Sequence, residues 1–191
     1  MIRLELVKRS DKDYQSIRDR HYVANNGCVG RQLHYNIYND DKLVGIISGA
    51  SAIWGNEYRD AYFGINKENR QKRINKIISN VVFRLEDNQH NLGSKILAMW
   101  RKRIKTDWEN RYNDNVIGFE TFIFGDGRHG SLYKADNWDF VGMTKGNTKK
   151  HRHGMYGGTE RVKTDIKMIF CKLVKAKYRK YIISNSHAIT T

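Results

Sequence analysis

The chain has no proline among its 191 residues, so Gly, Asn and Asp are left to mark its turns. It has two cysteines, Cys28 and Cys171. They are far apart and in no Cys-x-x-Cys spacing, which argues against a disulfide framework or a zinc ribbon. No apolar run approaches the ~20 residues that cross a bilayer, and the N-terminus carries no signal-peptide apolar segment. A soluble, cytoplasmic protein with no membrane partner is the expectation. Acids are scarce as well: 20 Asp and Glu stand against 35 Lys and Arg, a net charge of +15. Residues 145–180 hold 12 Lys or Arg and two acids, so +10 of that excess lies in the tail. Such asymmetry favours a polyanionic partner, nucleic acid first among them.

What remains suits one domain with an ordinary core. Ile2, Leu4 and Leu6 alternate with polar residues as a half-buried strand does. Ser10 to Asp13 resembles a capping box that opens a helix carrying Tyr14, Ile17 and His21 on one face. Leu33–Tyr38 and Leu43–Ile53 flank Asn39-Asp40-Asp41-Lys42 and read as a hairpin. The small residues Ser48 to Ala52 fit close approach by a ligand or tight sheet packing. Asn66 is placed to cap a basic helix that bears Arg70, Lys72, Arg73 and Lys76 over Ile74, Ile77 and Ile78, a DNA-contacting face or a solvated one. Val81–Leu85 reads as a strand. Leu92, Ile96, Trp100, Ile104 and Trp108 recur every four residues and predict a long amphipathic helix. A final strand is expected around Ile166–Leu173.

The stretch from Val116 to Thr144 carries the most chemistry. Val116–Phe124 is a nearly unbroken apolar run, as in a strand buried on both faces. Gly125-Asp126-Gly127 stops it, Ser131–Asp136 forms a helical turn with Tyr133, and Trp138–Val141 returns as an edge strand. An ionised carboxylate inside such a strand is costly without a partner, so Glu120 has a job there, either as a base or as the partner of Arg59. Deprotonating an amine needs a His or a carboxylate within reach, and His21, Glu120, Asp126 and His129 are the candidates. His21, Asp126 and His129 are also candidate metal ligands. His151-x-His153 belongs with the basic loop. Trp54, Tyr58, Tyr62, Phe63 and Trp138 are candidate surfaces for stacking a base.

His-Gly-x-x-Tyr-x-Ala-x-Asn-Trp-x-x-x-Gly-x-Thr, at His129–Thr144, resembles a signature of two related groups. They are the Mom DNA-modification proteins of phages and the Druantia anti-phage protein A family, both held to be relatives of the GCN5-related N-acetyltransferases. Arg20-His21-Tyr22, Arg59-Asp60, Asn91 to Leu97, Asp107-Trp108 and Glu120-Thr121-Phe122 match in consistent order. Glu-Thr-Phe followed by Asp126 is closer to the Druantia pattern than to the Mom one.

The resemblance implies an α/β fold of the GCN5-related N-acetyltransferase type, a mixed sheet with helices on both faces. Residues 1–144 would form the acetyltransferase-like domain, with an insertion at about 54–78. Residues 145–191 would be a basic extension that completes it and contacts nucleic acid through Lys149, Lys150, Arg152 and Arg161. It implies acetyl-coenzyme A or another acyl donor, with its phosphates at the start of the long helix near Asn91, Gly93 and Ser94. The usual Gln/Arg-x-x-Gly-x-Gly/Ala loop of coenzyme A users is not spelled out there. Tyr133 would be the acid that protonates a departing thiolate. The function implied is acyl or carbamoylmethyl-type transfer to a DNA base amine, adenine N6 by the Mom comparison. A DNA-binding subunit without catalysis is the alternative from another class, and a protein or small-molecule N-acetyltransferase is a third.

Overall fold

The computed structural model describes residues 1–22, 30–87, 89–124, 128–151 and 159–175, the strands at 147–151 and 159–162 by their backbone. The chain runs β1 (Ile2–Val7), α1 (Lys12–Arg18), β2 (Gln32–Asn39), β3 (Lys42–Ser51), α2 (Glu57–Tyr62), α3 (Arg70–Ile74) and β4 (Ile77–Leu85). It continues α4 (Leu92–Tyr112), β5 (Gly118–Phe124), α5 (Ser131–Ala135), β6 (Asp139–Met143), β7 (Asn147–His151), β8 (Thr159–Lys163) and β9 (Lys167–Leu173). Seven strands form one sheet in the order β1-β2-β3-β4-β5-β9-β6, and β7 and β8 pair separately. Only the central β4–β5 pair is parallel within that sheet. A parallel pair needs a crossover, and α4 supplies it.

The expected α/β fold is the one observed. Period-two alternation sorts neighbours to opposite faces of the sheet. Ile78 packs with α4, whereas Ile77 packs with Phe63, Ile65 and Ile74 of the α2–α3 segment. Ile46 and Val82 meet Tyr14 and Ile17 of α1. Leu92, Ile96, Trp100, Ile104 and Trp108 of α4 are all buried, each contributing roughly 1.5–3 kcal/mol before entropy is charged against it. Gly49 settles the reading of the small-residue run: a Cβ there would lie 2.3 Å from Ile104 and 3.1 Å from Trp100. Tight packing of α4 on the sheet, not a ligand, selects glycine at that position.

Two local expectations are corrected. The first helix is capped by Asp11, whose side chain accepts from the Tyr14 N–H at 3.0 Å, and not by Ser10. The basic helix expected from Asn66 shrinks to Arg70–Ile74, because Asn66 and Asn69 exchange side-chain-to-backbone hydrogen bonds and spend those residues in a turn. Ile77 and Ile78, placed beneath that helix, open β4 instead. Among the described residues no helix is long and apolar enough to cross a membrane.

Candidate active site

A bulge and a divergence create the site. β3 and β4 pair Ser48 with Val82 and Gly49 with Asn80, which leaves Val81 as an extra residue on β4. A bulge bends its strand. β4 and β5 then pair over only three positions, Ile77–Gly118, Ile78–Phe119 and Ser79–Glu120. Beyond Ser79 they separate, and backbone groups of both strands face a gap. The gap opens into a cleft of about 1090 Å³ whose walls include Ser79–Val81 and Phe83 from β4 and Thr121–Phe124 from β5. The end of α1, the β3–α2 segment, residues 128–133 and the roots of the β7–β8 hairpin complete it.

Tyr133 stands at this split. It is 7 % exposed, and its hydroxyl donates to Asn80 Oδ1 at 2.7 Å. The Thr121 hydroxyl donates to the Asn80 carbonyl at 3.0 Å and lies 3.5 Å from the phenol oxygen. Burial pushes the Tyr133 phenol well above its usual value, with Thr121 pulling weakly the other way. At neutral pH it therefore keeps its proton and can serve as an acid, not as a base.

Several residues aim this tyrosine. Asp136, just past α5, accepts from Nε and Nη2 of Arg101 on α4, each at 2.6 Å, and from the Trp138 indole N–H at 2.8 Å. A bidentate pair of this kind fixes angle as well as distance. Gly130 has φ +65°, and a Cβ there would strike the Phe170 ring at 2.4 Å, so only glycine starts α5 this close to β9. Trp138 meets the Tyr133 ring edge-on at 5.1 Å. Thr144 extends the β6–β9 ladder, exchanging hydrogen bonds with Lys167.

Beneath the cleft wall at Ile53 and Ser79 lies a charge network. Arg59 and Glu120 are fully buried and joined at 2.5 Å, and Arg59 also reaches Asp60 at 2.7 Å. Glu120 further accepts from the Ile53 N–H at 3.3 Å. Burial pushes its carboxyl up to about 7, against the pull of Arg59. Glu120 is the partner of Arg59, and its side chain is not itself among the cleft walls, although Ile53 and Ser79, which hydrogen-bond to it, are.

His21 and Tyr22 line the cleft just past α1, stacked at 4.6 Å, and the Arg128 guanidinium lies 3.9 Å from the centre of the Tyr22 ring. His129 lines the same cleft from an exposed position. Asp126 falls outside the described residues. Among the described residues no three His, Cys, Asp or Glu side chains gather as a metal site would require.

A family model, Druantia protein DruA, matches residues 1–170. The chain belongs to the DruA family. Solved structures similar to this DruA-family chain are acetyltransferases. One is a Bacillus subtilis acetyltransferase in complex with CoA, with TM-score 0.60 and 9 % identity over 92 % of this chain and 100 % of that one. Another is a GNAT family acetyltransferase from Elizabethkingia anophelis with acetyl-CoA bound, at 0.54 and 7 % over 91 % and 98 %. A third is the ribosomal-protein-S18-alanine N-acetyltransferase from Escherichia coli, at 0.51 and 8 % over 92 % and 95 %. At these identities the likeness establishes the fold. No curated protein sequence matches the chain.

The residues expected to hold phosphate on the DruA-family chain are not among the cleft walls. Asn91 sits at the α4 N-cap with φ +60° and makes no side-chain cap bond. Ser94 turns its hydroxyl back to the Asn91 carbonyl at 3.2 Å. Gly93 makes room for a side chain: its missing Cβ would lie 2.7 Å from Leu132. The basic face on α3 is corrected too. Arg70 binds Asp60 and the Trp54 carbonyl, and Arg73 binds the Phe63 carbonyl at 2.8 Å, so both guanidinium groups tie down the insertion. Lys72 is exposed and Lys76 half-buried. Lys149 and Arg161 face each other in register across β7–β8, with Lys150 next along, while Arg152 lies outside the described residues. Asn80, Arg101 and Asp136 were missed. Asn80 carried no signal, lying just before the strand read as Val81–Leu85, whereas Asn137-Trp138 was visible as motif with Asp136 an unspecified position within it.

Proposed function

We propose that the chain is an acyltransferase that modifies an amine of a DNA base, with an acyl-coenzyme A as donor and adenine N6 as the first target to examine. The observation that carries this reading is the β4–β5 split with the Tyr133 hydroxyl at its floor and a basic hairpin rooted at its mouth. The split fits an extended donor arm rich in amides, because unpaired strand backbone on both sides offers N–H and C=O groups. When bound, the donor supplies an acyl thioester. The chain's own residues hold and orient the amine, and one of His21, Asp126 or His129 takes its proton. Tyr133 would hold the proton that the departing sulfur takes up once the amine has bonded to the acyl carbon in its place. Membership of an anti-phage family suits DNA as the polymer, as does the positive charge.

One observation favours a second reading, a DNA-binding subunit without chemistry. Leu132 fills the space beside Gly93 where donor phosphates would approach the helix start. Mass spectrometry of nucleosides from DNA of cells expressing the chain separates the two. A new nucleoside that disappears with Tyr133→Phe is the expected result. Unmodified DNA together with tight DNA binding would establish the second reading.

A further inference from the structure

Of the five aromatic residues offered as stacking surfaces, the fold spends three. Phe63 and Trp138 are buried, and the Tyr62 hydroxyl is bound to Asp139 at 2.5 Å. Trp54 is left 67 % exposed and Tyr58 39 %, with Ile53 beside them at 49 %. All three belong to the β3–α2 segment, of which Ile53 and Gly55 to Tyr58 line one side of the cleft. The three other tryptophans are buried, so Trp54 is the single exposed indole among four.

This apolar rim is held rigidly. The Ile53 carbonyl accepts from Arg59 Nη2 at 2.7 Å, and the Trp54 carbonyl accepts from Arg70 Nη1 at 2.7 Å. Arg59 is in turn locked by Glu120 and Asp60. The Tyr58 ring lies against Gly142, where a Cβ would come within 2.6 Å of it. The buried Arg59, the half-buried Arg70 and one glycine thus present aromatic faces to solvent beside a cleft, where a pre-ordered surface binds at lower entropic cost.

The surroundings say what such a surface meets. Arg18, Arg128, Lys145 and Lys167 line the cleft against two acids, Glu57 and Asp165. Next to the rim, where Lys145 pairs with Glu57 at 2.8 Å, Met143–Lys145 and Thr164, Asp165 and Lys167 are the two roots of the β7–β8 hairpin. The described residues of that hairpin and its root, 145–151 and 159–163, carry five Lys or Arg and one acid. Aromatic faces beside a cationic track are the pattern of a single-strand binding surface, bases on the rings and phosphates on the charges. Tyr133 itself is nearly buried at the cleft floor. A paired base keeps its amine in a groove and its faces stacked on neighbours, and cannot be brought there without leaving the helix.

We infer that the Ile53–Tyr58 rim is a stacking platform for an unpaired nucleotide, whose flanking phosphates run onto the β7–β8 hairpin. The substrate class is a single strand, or a base extruded from a duplex. The chemical use of that nucleotide rests on the function proposed above, but its capture does not.

The test compares a single-stranded DNA 12-mer, its duplex, and the duplex with one unpaired central base, by anisotropy and tryptophan fluorescence on the full chain. The single strand and the bulged duplex should bind at least about tenfold tighter than the perfect duplex and quench the Trp54 emission. Trp54→Ala should lower single-strand affinity about tenfold. Trp54→Phe should abolish the quench and keep most of the affinity. Equal or tighter binding of the perfect duplex, or a Trp54→Ala variant with unchanged affinity, overturns the inference. Single-stranded RNA of the same sequence shows whether the sugar is read. Quenching with unmodified DNA leaves the platform standing and rejects the acyltransferase reading. Modification of duplex with no dependence on Trp54 does the reverse.

Discussion

The Tyr133 hydroxyl donates to Asn80 Oδ1 at 2.7 Å, and the surroundings of Asn80 allow no other orientation of its amide. Its nitrogen gives one hydrogen to the Ser48 carbonyl at 3.0 Å and the other to the Val82 carbonyl at 3.1 Å. Flipping the amide would face oxygen to oxygen at both carbonyls. Ser48 and Val82 are the cross-strand pair next to the bulge at Val81, so the irregularity that opens the sheet also fixes the acceptor for the phenol.

Tyr133→Phe keeps the ring and its packing on Trp138 and Phe170. The lost hydrogen bond should cost about 1 kcal/mol, with some further cost for leaving Asn80 Oδ1 unpaired. If the phenol is the acid, DNA modification falls at least ~100-fold while urea unfolding and DNA affinity change little. Wild-type modification by this variant would make Tyr133 a core residue and move the acid elsewhere.

Gly93→Val separates packing from ligand binding. The new side chain would meet Leu132, which lines the cleft, and overpacking of this kind costs typically ~1–3 kcal/mol. The expected outcome is a lowered thermal midpoint, recovered when Leu132→Ala is added. A stable Gly93→Val protein that fails only in binding acyl-coenzyme A would return Gly93 to the donor site.

The fold was legible wherever one period ran unbroken. The four-residue spacing from Leu92 to Trp108 marks α4, and the alternation on both sides of Asn39-Asp40 marks the β2–β3 hairpin. The stretch from Trp54 to Lys76 was not legible. Its order comes from the guanidinium groups of Arg59, Arg70 and Arg73 reaching backbone carbonyls and from Asn66–Asn69 turn bonds, and neither leaves a periodic trace. Arg70 and Arg73 look like a basic face in sequence and act as internal ties in space. Glu120 was the most informative single residue, since a carboxylate in an apolar strand announces a partner. Asn80 was the least, because its importance depends on a bulge that appears only once β3 and β4 are in register.

Arg59→Met tests the network beneath the cleft wall. It leaves Glu120 buried without its cation, which costs ~3–5 kcal/mol in comparable pairs. The carboxyl, already at about 7 beside Arg59, is driven higher without it. A carboxyl raised in the folded state contributes stability that is present below its unfolded value of about 4.5 and lost as pH rises through the folded one. Relative to wild type, the variant should therefore lose more stability at pH 8 than at pH 5.5. Adding Glu120→Gln should remove most of that pH dependence, and urea midpoints read the result. A flat difference would mean that Glu120 takes no part in it.

His34 should work against stability in acid. Its Nδ1 lies 3.0 Å from the Ser48 hydroxyl and 3.2 Å from that of Tyr14. Burial, with Arg9 and Arg18 adding repulsion, pulls its pKa down from 6.5 to about 4. A histidine depressed in the folded state contributes stability that is present above 6.5 and lost as pH falls toward 4. Between pH 7.5 and pH 5 this one group should cost about 2 kcal/mol, while Glu120, raised to about 7, contributes in the opposite direction over the same range. His34→Gln should therefore gain about that much stability at pH 5 relative to pH 7.5 when compared with wild type, and parallel profiles for the two proteins would show that His34 does not contribute.

The hairpin makes the salt dependence of DNA binding predictable. Lys149 and Arg161 are in register across β7–β8 and Lys150 is the next residue on β7, so these charges share one ribbon rooted at the cleft mouth. Each phosphate neutralised releases counterions and steepens the plot of log K against log salt by roughly 0.9 on duplex, or roughly 0.7 on single strand. Changing Lys149, Lys150, Arg152 and Arg161 to Gln should weaken binding and make the slope shallower by one such step for each phosphate no longer neutralised. The sheet should stay intact, because β7 and β8 pair only with each other. Single-stranded DNA titrated from 50 to 300 mM salt supplies the measurement. If the slope is unchanged while Lys72→Gln with Lys76→Gln reduces it, the phosphates run along α3 and the hairpin has another purpose. If neither set alters it, the cations inside the cleft, Arg18, Arg128 and Lys167, are left to hold the strand.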